Sequence, residues 1–73
     1  MRHEYYQNLF DLLKDKVLEQ TSIKGIEEVW TSNKLDINHL KTMDSMRYGA
    51  LENIKNKNVS YYEGIEHVKH SDN

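Results

Sequence analysis

Residues 36–57 read DINHLKTMDSMRYGALENIKNK, the longest uninterrupted helical pattern in the chain and the one the other segments are short enough to pack against. At roughly 100° per residue, Ile37, Leu40, Met43, Ala50, Leu51 and Ile54 fall on one broad apolar face, with Tyr48 at its edge. The spacing predicts one central helix over 36–57, opened by Asp36 as N-cap and closed by Asn56-Lys57-Asn58. Gly49 lies on its polar side and weakens it by up to about 1 kcal/mol relative to alanine; it marks a close helix approach or a bend. Arg47 lands near the middle of the apolar face, and Asp44 precedes it by one turn. An arginine in a core stripe is costly unless its charge is paired or snorkels to water. The Asp44–Arg47 pair therefore reads as a local salt bridge or as part of a contact with another molecule, and it is the sharpest functional pointer in the sequence.

On the N-terminal side, residues 2–20 place Tyr5, Tyr6, Leu9, Phe10, Leu12, Leu13 and Val17 on one face and Glu4, Gln7, Asp11, Lys14 and Asp15 on the other. Thr21 and Ser22 are N-cap residues, so a second helix begins at Ile23. It carries Ile26, Val29 and Trp30 at helical spacing and stops at Asn33-Lys34. The last stretch, VSYYEGIEHVKHSDN, supports two readings. Ser60 with Glu63 forms a capping box, and Tyr61, Ile65 and Val68 then share the face of a short helix. Alternatively, Glu63-Gly64 turns a hairpin between the flanking apolar residues. The fold expected is an all-α, compact bundle of three or four helices in one domain over 1–73, or an α+β form with a hairpin at 59–68.

A chain of 73 residues is near the size at which one core yields only a few kcal/mol, so a partner or a second copy would add stability. There is no cysteine, which excludes disulfides and thiolate metal clusters and suits a reducing compartment. No apolar run is long enough for a signal peptide or a membrane span, so a cytoplasmic protein with no membrane role is expected. The net charge of −2 is spread along the chain and gives no global attraction for nucleic acid. Eight of the ten basic residues are lysine, proline is absent and Ala50 is the sole alanine. That bias points to an AT-rich bacterial genome or one of its phages or plasmids.

Constellations that carry chemistry are sparse. The serines lack a glycine elbow or a histidine partner, and three scattered glycines build no phosphate loop. Glu63, His67 and His70 share one side of a terminal helix, and Met1-Arg2-His3 is a generic amine-X-His arrangement; both read as incidental rather than as metal sites. Neither a catalytic residue nor a cofactor is assigned.

SIKGIEEVWTSNKLDINHLKTM has a helix-turn-helix layout. Against it, Glu27 occupies a position that needs a small buried residue, the turn lacks glycine, and Asp36 opens the would-be recognition helix. Lys34, Lys41, Arg47, Lys55 and Lys57 can still form a basic strip, which keeps a small DNA-binding or nucleoid-associated modulator as the alternative. The order of elements, QTSIKGIEEVWTSNK followed by a long third helix and a SYYEGIEHV tail, is similar to that of the haemolysin-expression-modulating family, four-helix modulators that bind a larger DNA-binding partner. The family's Ala-Ala-Asp-His-Arg run has no counterpart in Ser45-Met46-Arg47-Tyr48-Gly49, and membership is not assigned. What the likeness implies is a layout suited to binding another protein. The function expected is thus a non-catalytic protein-binding module, a small regulator, inhibitor or adaptor, with a homodimer open. Arg47, Asp44, Tyr48, Met46, Tyr61 and Tyr62 are the candidate contact residues, because aromatic residues, methionine and arginine are enriched at interfaces.

Overall fold

Periodic apolar residues separated by three short breaks give four helices, α1 (Arg2–Leu18), α2 (Ile23–Ser32), α3 (Lys34–Met43) and α4 (Ser45–Ser71). The computed structural model describes the backbone of residues 2–71 and the side chains of residues 4–66. The chain adopts the all-α bundle. Residues 59–68 lie inside α4, so the hairpin alternative is excluded.

The single central helix expected over 36–57 is two helices, broken at Asp44. Its backbone (φ −150°, ψ 76°) leaves the helical region. The Asp44 N–H still donates to the Leu40 carbonyl at 2.7 Å, closing α3, while the Asp44 carbonyl accepts the Tyr48 N–H at 3.0 Å, opening α4. Oδ1 of Asp44 accepts the Arg47 N–H at 3.2 Å, which makes it the side-chain N-cap of α4. The apolar period runs across this break without a glycine or proline to mark it. Asp36, expected as the N-cap, sits instead in the first turn of α3, which starts one residue after Asn33. Asn56-Lys57-Asn58 does not end α4: the Asn58 amide donates to the Ile54 carbonyl at 2.8 Å within the continuing helix. Ser60 likewise is an exposed interior residue rather than a cap.

Two clusters form the core. Leu9 and Leu13 of α1 meet Ile37 and Leu40 of α3 and Leu51 of α4. Val17 of α1 meets Ile26 and Val29 of α2, with Ile54, Val59 and Tyr62 of α4 packed against them. Trp30 touches both clusters and ties them together. The α1 stripe is narrower than expected: Leu9, Leu13 and Val17, each four residues apart, are buried, whereas Tyr5 and Leu12 are about half exposed.

The α1–α2 connection is fixed by polar contacts. The Ser22 hydroxyl oxygen accepts the Gly25 N–H at 3.1 Å, confirming the N-cap. A Cβ on Gly25 would lie 2.5 Å from Oε1 of Gln20, so glycine is what allows that side chain to fold across the turn. Gly49 has no heavy atom within 4 Å of where a Cβ would stand, so it marks no close approach. The Tyr62 hydroxyl donates to the Gln20 carbonyl at 3.1 Å, and beyond it Glu63, Gly64, Ile65 and Glu66 are all exposed. At about 1.5 Å per residue this 27-residue helix outruns α1, giving an elongated body of 54 × 19 × 17 Å.

Candidate protein-binding corner

The break at Asp44 places its two carboxylate oxygens differently. Oδ1 caps the backbone of α4, and Oδ2 pairs with Nη1 of Arg47. The other edge of the guanidinium is held from α1, where Oε1 of Gln7 accepts from Nε at 3.1 Å and from Nη2 at 2.9 Å. Gln7 is itself steadied by donating to Asp11 at 3.0 Å. Arg47 is therefore an ordered side chain at the edge of the α1–α4 contact, not in the middle of the core, with 29% of its side chain exposed.

Around it lies a shallow recess of about 370 Å³ lined by Gln7, Phe10, Asp44, Met46, Arg47 and Ala50. Met46 is 86% exposed and Met43, on the other side of the break, 50%. Three of the five guanidinium N–H groups are engaged by Gln7 and Asp44. What results is a planar guanidinium paired with the Asp44 carboxylate and held along one edge by Gln7, with two N–H groups left for a further acceptor beside Phe10, Met46 and Ala50.

Of the six candidate residues, Asp44, Met46 and Arg47 come together here. Tyr48 faces a different part of the bundle, an open cleft shared with Trp30, Thr31, Lys34, Ile37 and Asn38. Its hydroxyl donates to Glu52 at 3.2 Å. Burial first, then that hydrogen bond and the Glu52 charge, push the Tyr48 hydroxyl above its ordinary pKa of 10.0. Tyr62 is engaged in fold closure through Gln20. Tyr61 stands 64% exposed, its ring edge-on to Tyr62 at 5.1 Å. The five-residue basic strip does not form as one strip. Lys34 lines the Tyr48 cleft, Lys41 lies over the Tyr48 ring and Lys55 over that of Trp30, Arg47 turns to α1, and Lys57 lies in a separate depression with Asn53, Asn56 and Ser60.

Gln7 lies forty residues from Arg47 and carries no local signal in the sequence that would pair the two. Among the described residues no group of three or more acids and histidines is placed to hold a metal ion. The side chains of Met1, Arg2, His3, His67 and His70 lie outside the described residues. Among the described residues no helix is long and apolar enough to cross a membrane.

No family model, curated protein or solved structure matches the chain. The long third helix in the likeness of element order is here two helices, α3 and α4.

Proposed function

We propose that the protein is a non-catalytic protein-binding module, a small regulator, inhibitor or adaptor, and that its partner docks on the corner around Arg47. The observation that carries this reading is the placement of a guanidinium bonded by Gln7 and Asp44 beside exposed methionine. Gln7 and Asp44 hold the charge in place, and Met46 and Met43 offer deformable apolar surface beside it. The partner presents a carboxylate flanked by apolar side chains. A cytoplasmic setting and an origin on a phage or other mobile element belong to this reading on composition alone. A DNA-binding modulator is the second reading, and the division of the basic strip among three places weighs against it.

The test is affinity capture of the tagged protein from its native host at moderate salt, run beside the Met46→Asp variant. Met46 is almost fully exposed, so the substitution leaves the core untouched. The expected result is one dominant protein that the wild type retains and Met46→Asp loses. Nucleic acid as the retained species, or a partner held equally by both forms, overturns the assignment.

A further inference from the structure

A second surface stands apart from the Arg47 corner. Where α2, α3 and α4 meet, Trp30, Thr31, Lys34, Ile37, Asn38 and Tyr48 line an open cleft of about 340 Å³. Ile37 is buried and belongs to the core, whereas Trp30 and Tyr48 are half-buried. Nζ of Lys41 lies 5.6 Å from the Tyr48 ring centroid, and Nζ of Lys55 lies 4.5 Å from that of Trp30. These cation–π contacts place the two ammonium groups against two of the rings that line the cleft, while Lys34 lines it directly. Three positive charges thus stand on or beside the walls of one aromatic hollow, in a chain whose net charge is −2. Among the described residues none of the three is in a salt bridge; the acid beside them, Glu52, accepts from Tyr48.

We propose that this cleft binds an acidic peptide segment of a protein partner. An aromatic or aliphatic side chain of the segment packs between Trp30 and Tyr48, and its carboxylates meet Lys34, Lys41 and Lys55. Spacing favours this occupant over a small anion. Lys34 and Lys41 are two turns apart on α3, about 10 Å along the axis, a spacing that suits successive acidic side chains. The extent of the charge favours it over a nucleic acid: a phosphate backbone needs a longer run of cations, and Arg47 and Lys57 lie in other depressions.

Trp30 is the sole tryptophan, so its fluorescence reports on the cleft of the intact chain. The probe is a short synthetic peptide of Asp and Glu around a central Phe. Its counterpart with Asn and Gln in place of the acids, and an oligothymidylate, are titrated in parallel. The acidic peptide is expected to shift Trp30 emission saturably, to weaken as salt rises, and to bind about tenfold more weakly to Lys34→Gln/Lys41→Gln. Lys14→Gln/Lys57→Gln, with the same change in charge, is expected to bind as wild type. Equal response to the acidic and amide peptides, or titration by oligothymidylate alone, overturns the proposal. So does a Lys34→Gln/Lys41→Gln variant of native far-UV spectrum that binds as wild type. Should that variant misfold, the peptide comparison and the salt dependence on the native chain decide between the same outcomes.

Discussion

Two joints of one residue each organise this bundle, and they are built in opposite directions. At Asn33, between α2 and α3, the side chain reaches back: Nδ2 donates to the Val29 carbonyl at 2.9 Å, alongside the backbone N–H of Asn33 at 3.0 Å. Oδ1 accepts from Lys16 of α1 at 3.1 Å. At Asp44, between α3 and α4, the side chain reaches forward, capping α4 and pairing with Arg47. An amide supplies both a donor and an acceptor, so Asn33 can finish one helix and bind a neighbour. An ionised carboxylate only accepts, and it satisfies the orphan N–H groups that begin a helix. The amide's donor is what lets Asn33 close the helix behind it, a bond the Asp44 carboxylate cannot make. The Asp44 joint is where a guanidinium and two exposed methionines collect.

The contrast can be broken most forcefully from the core residues whose carbonyls the joints use. Leu40→Ala, at a fully buried position beneath Asp44, is expected to cost about 2–5 kcal/mol. Val29→Ala, beneath Asn33 and a smaller side chain, is expected to cost about 1–3 kcal/mol. Denaturant unfolding measures both, and a larger loss at Val29 would mean that α2, not α3, bears the core.

A finer comparison replaces the joint residues themselves. Asp44→Ala should cost about 1–2 kcal/mol through the lost N-cap and ion pair, and Asn33→Ala about 1 kcal/mol or less. Asp44→Asn retains the cap acceptor and should recover most of the difference. Equal melting points for the two alanine variants would remove the distinction between a forward and a backward cap.

Within α4, just after the Asp44 joint, Gly49→Ala is expected to stabilise by about 0.5–1 kcal/mol, because a methyl meets nothing there and the unfolded chain loses freedom. Gly25→Ala should gain less, since its methyl must displace the end of the Gln20 side chain, which donates to the Lys16 carbonyl. Thermal melts of the pair test the difference.

The smallest effect is in alkaline solution. The Tyr48 pKa is raised in the fold, so folding favours its protonated form. The stability this contributes is fully present below the unfolded pKa near 10 and is lost as pH rises through the higher folded value. Tyr48→Phe should flatten that part of the decline in a pH series of melts.

The sequence makes the helical class, the Ser22 cap and the buried line of Ile26, Val29, Ile37, Leu40 and Leu51 legible, because apolar spacing and capping chemistry are local signals. The break at Asp44 escapes that reading. Its flanking apolar residues keep helical phase on either side, so a one-residue kink leaves the pattern intact while rotating Met43 and Ala50 out of the core. The Asp44–Arg47 ion pair is legible because three residues separate its members on one turn. Gln7 on Arg47, Lys16 on Asn33 and Lys55 on Trp30 are not, because tertiary packing brings them together across long stretches of chain. For the same reason Tyr48 and Arg47, adjacent in sequence, serve different surfaces.

The measurement that bears most directly on the Arg47 corner is the Arg47→Met variant, followed in parallel by thermal melting and by association with the captured partner. Methionine fills the recess without the charge, and replacing a partly buried ion pair by apolar packing is often neutral or stabilising. The expected result is an intact fold with association weakened by at least about tenfold, as follows from loss of a charged interface anchor. A rise in melting temperature with association unchanged would contradict it, and would leave Arg47 as a snorkelling side chain held by Gln7 and Asp44 for the fold alone.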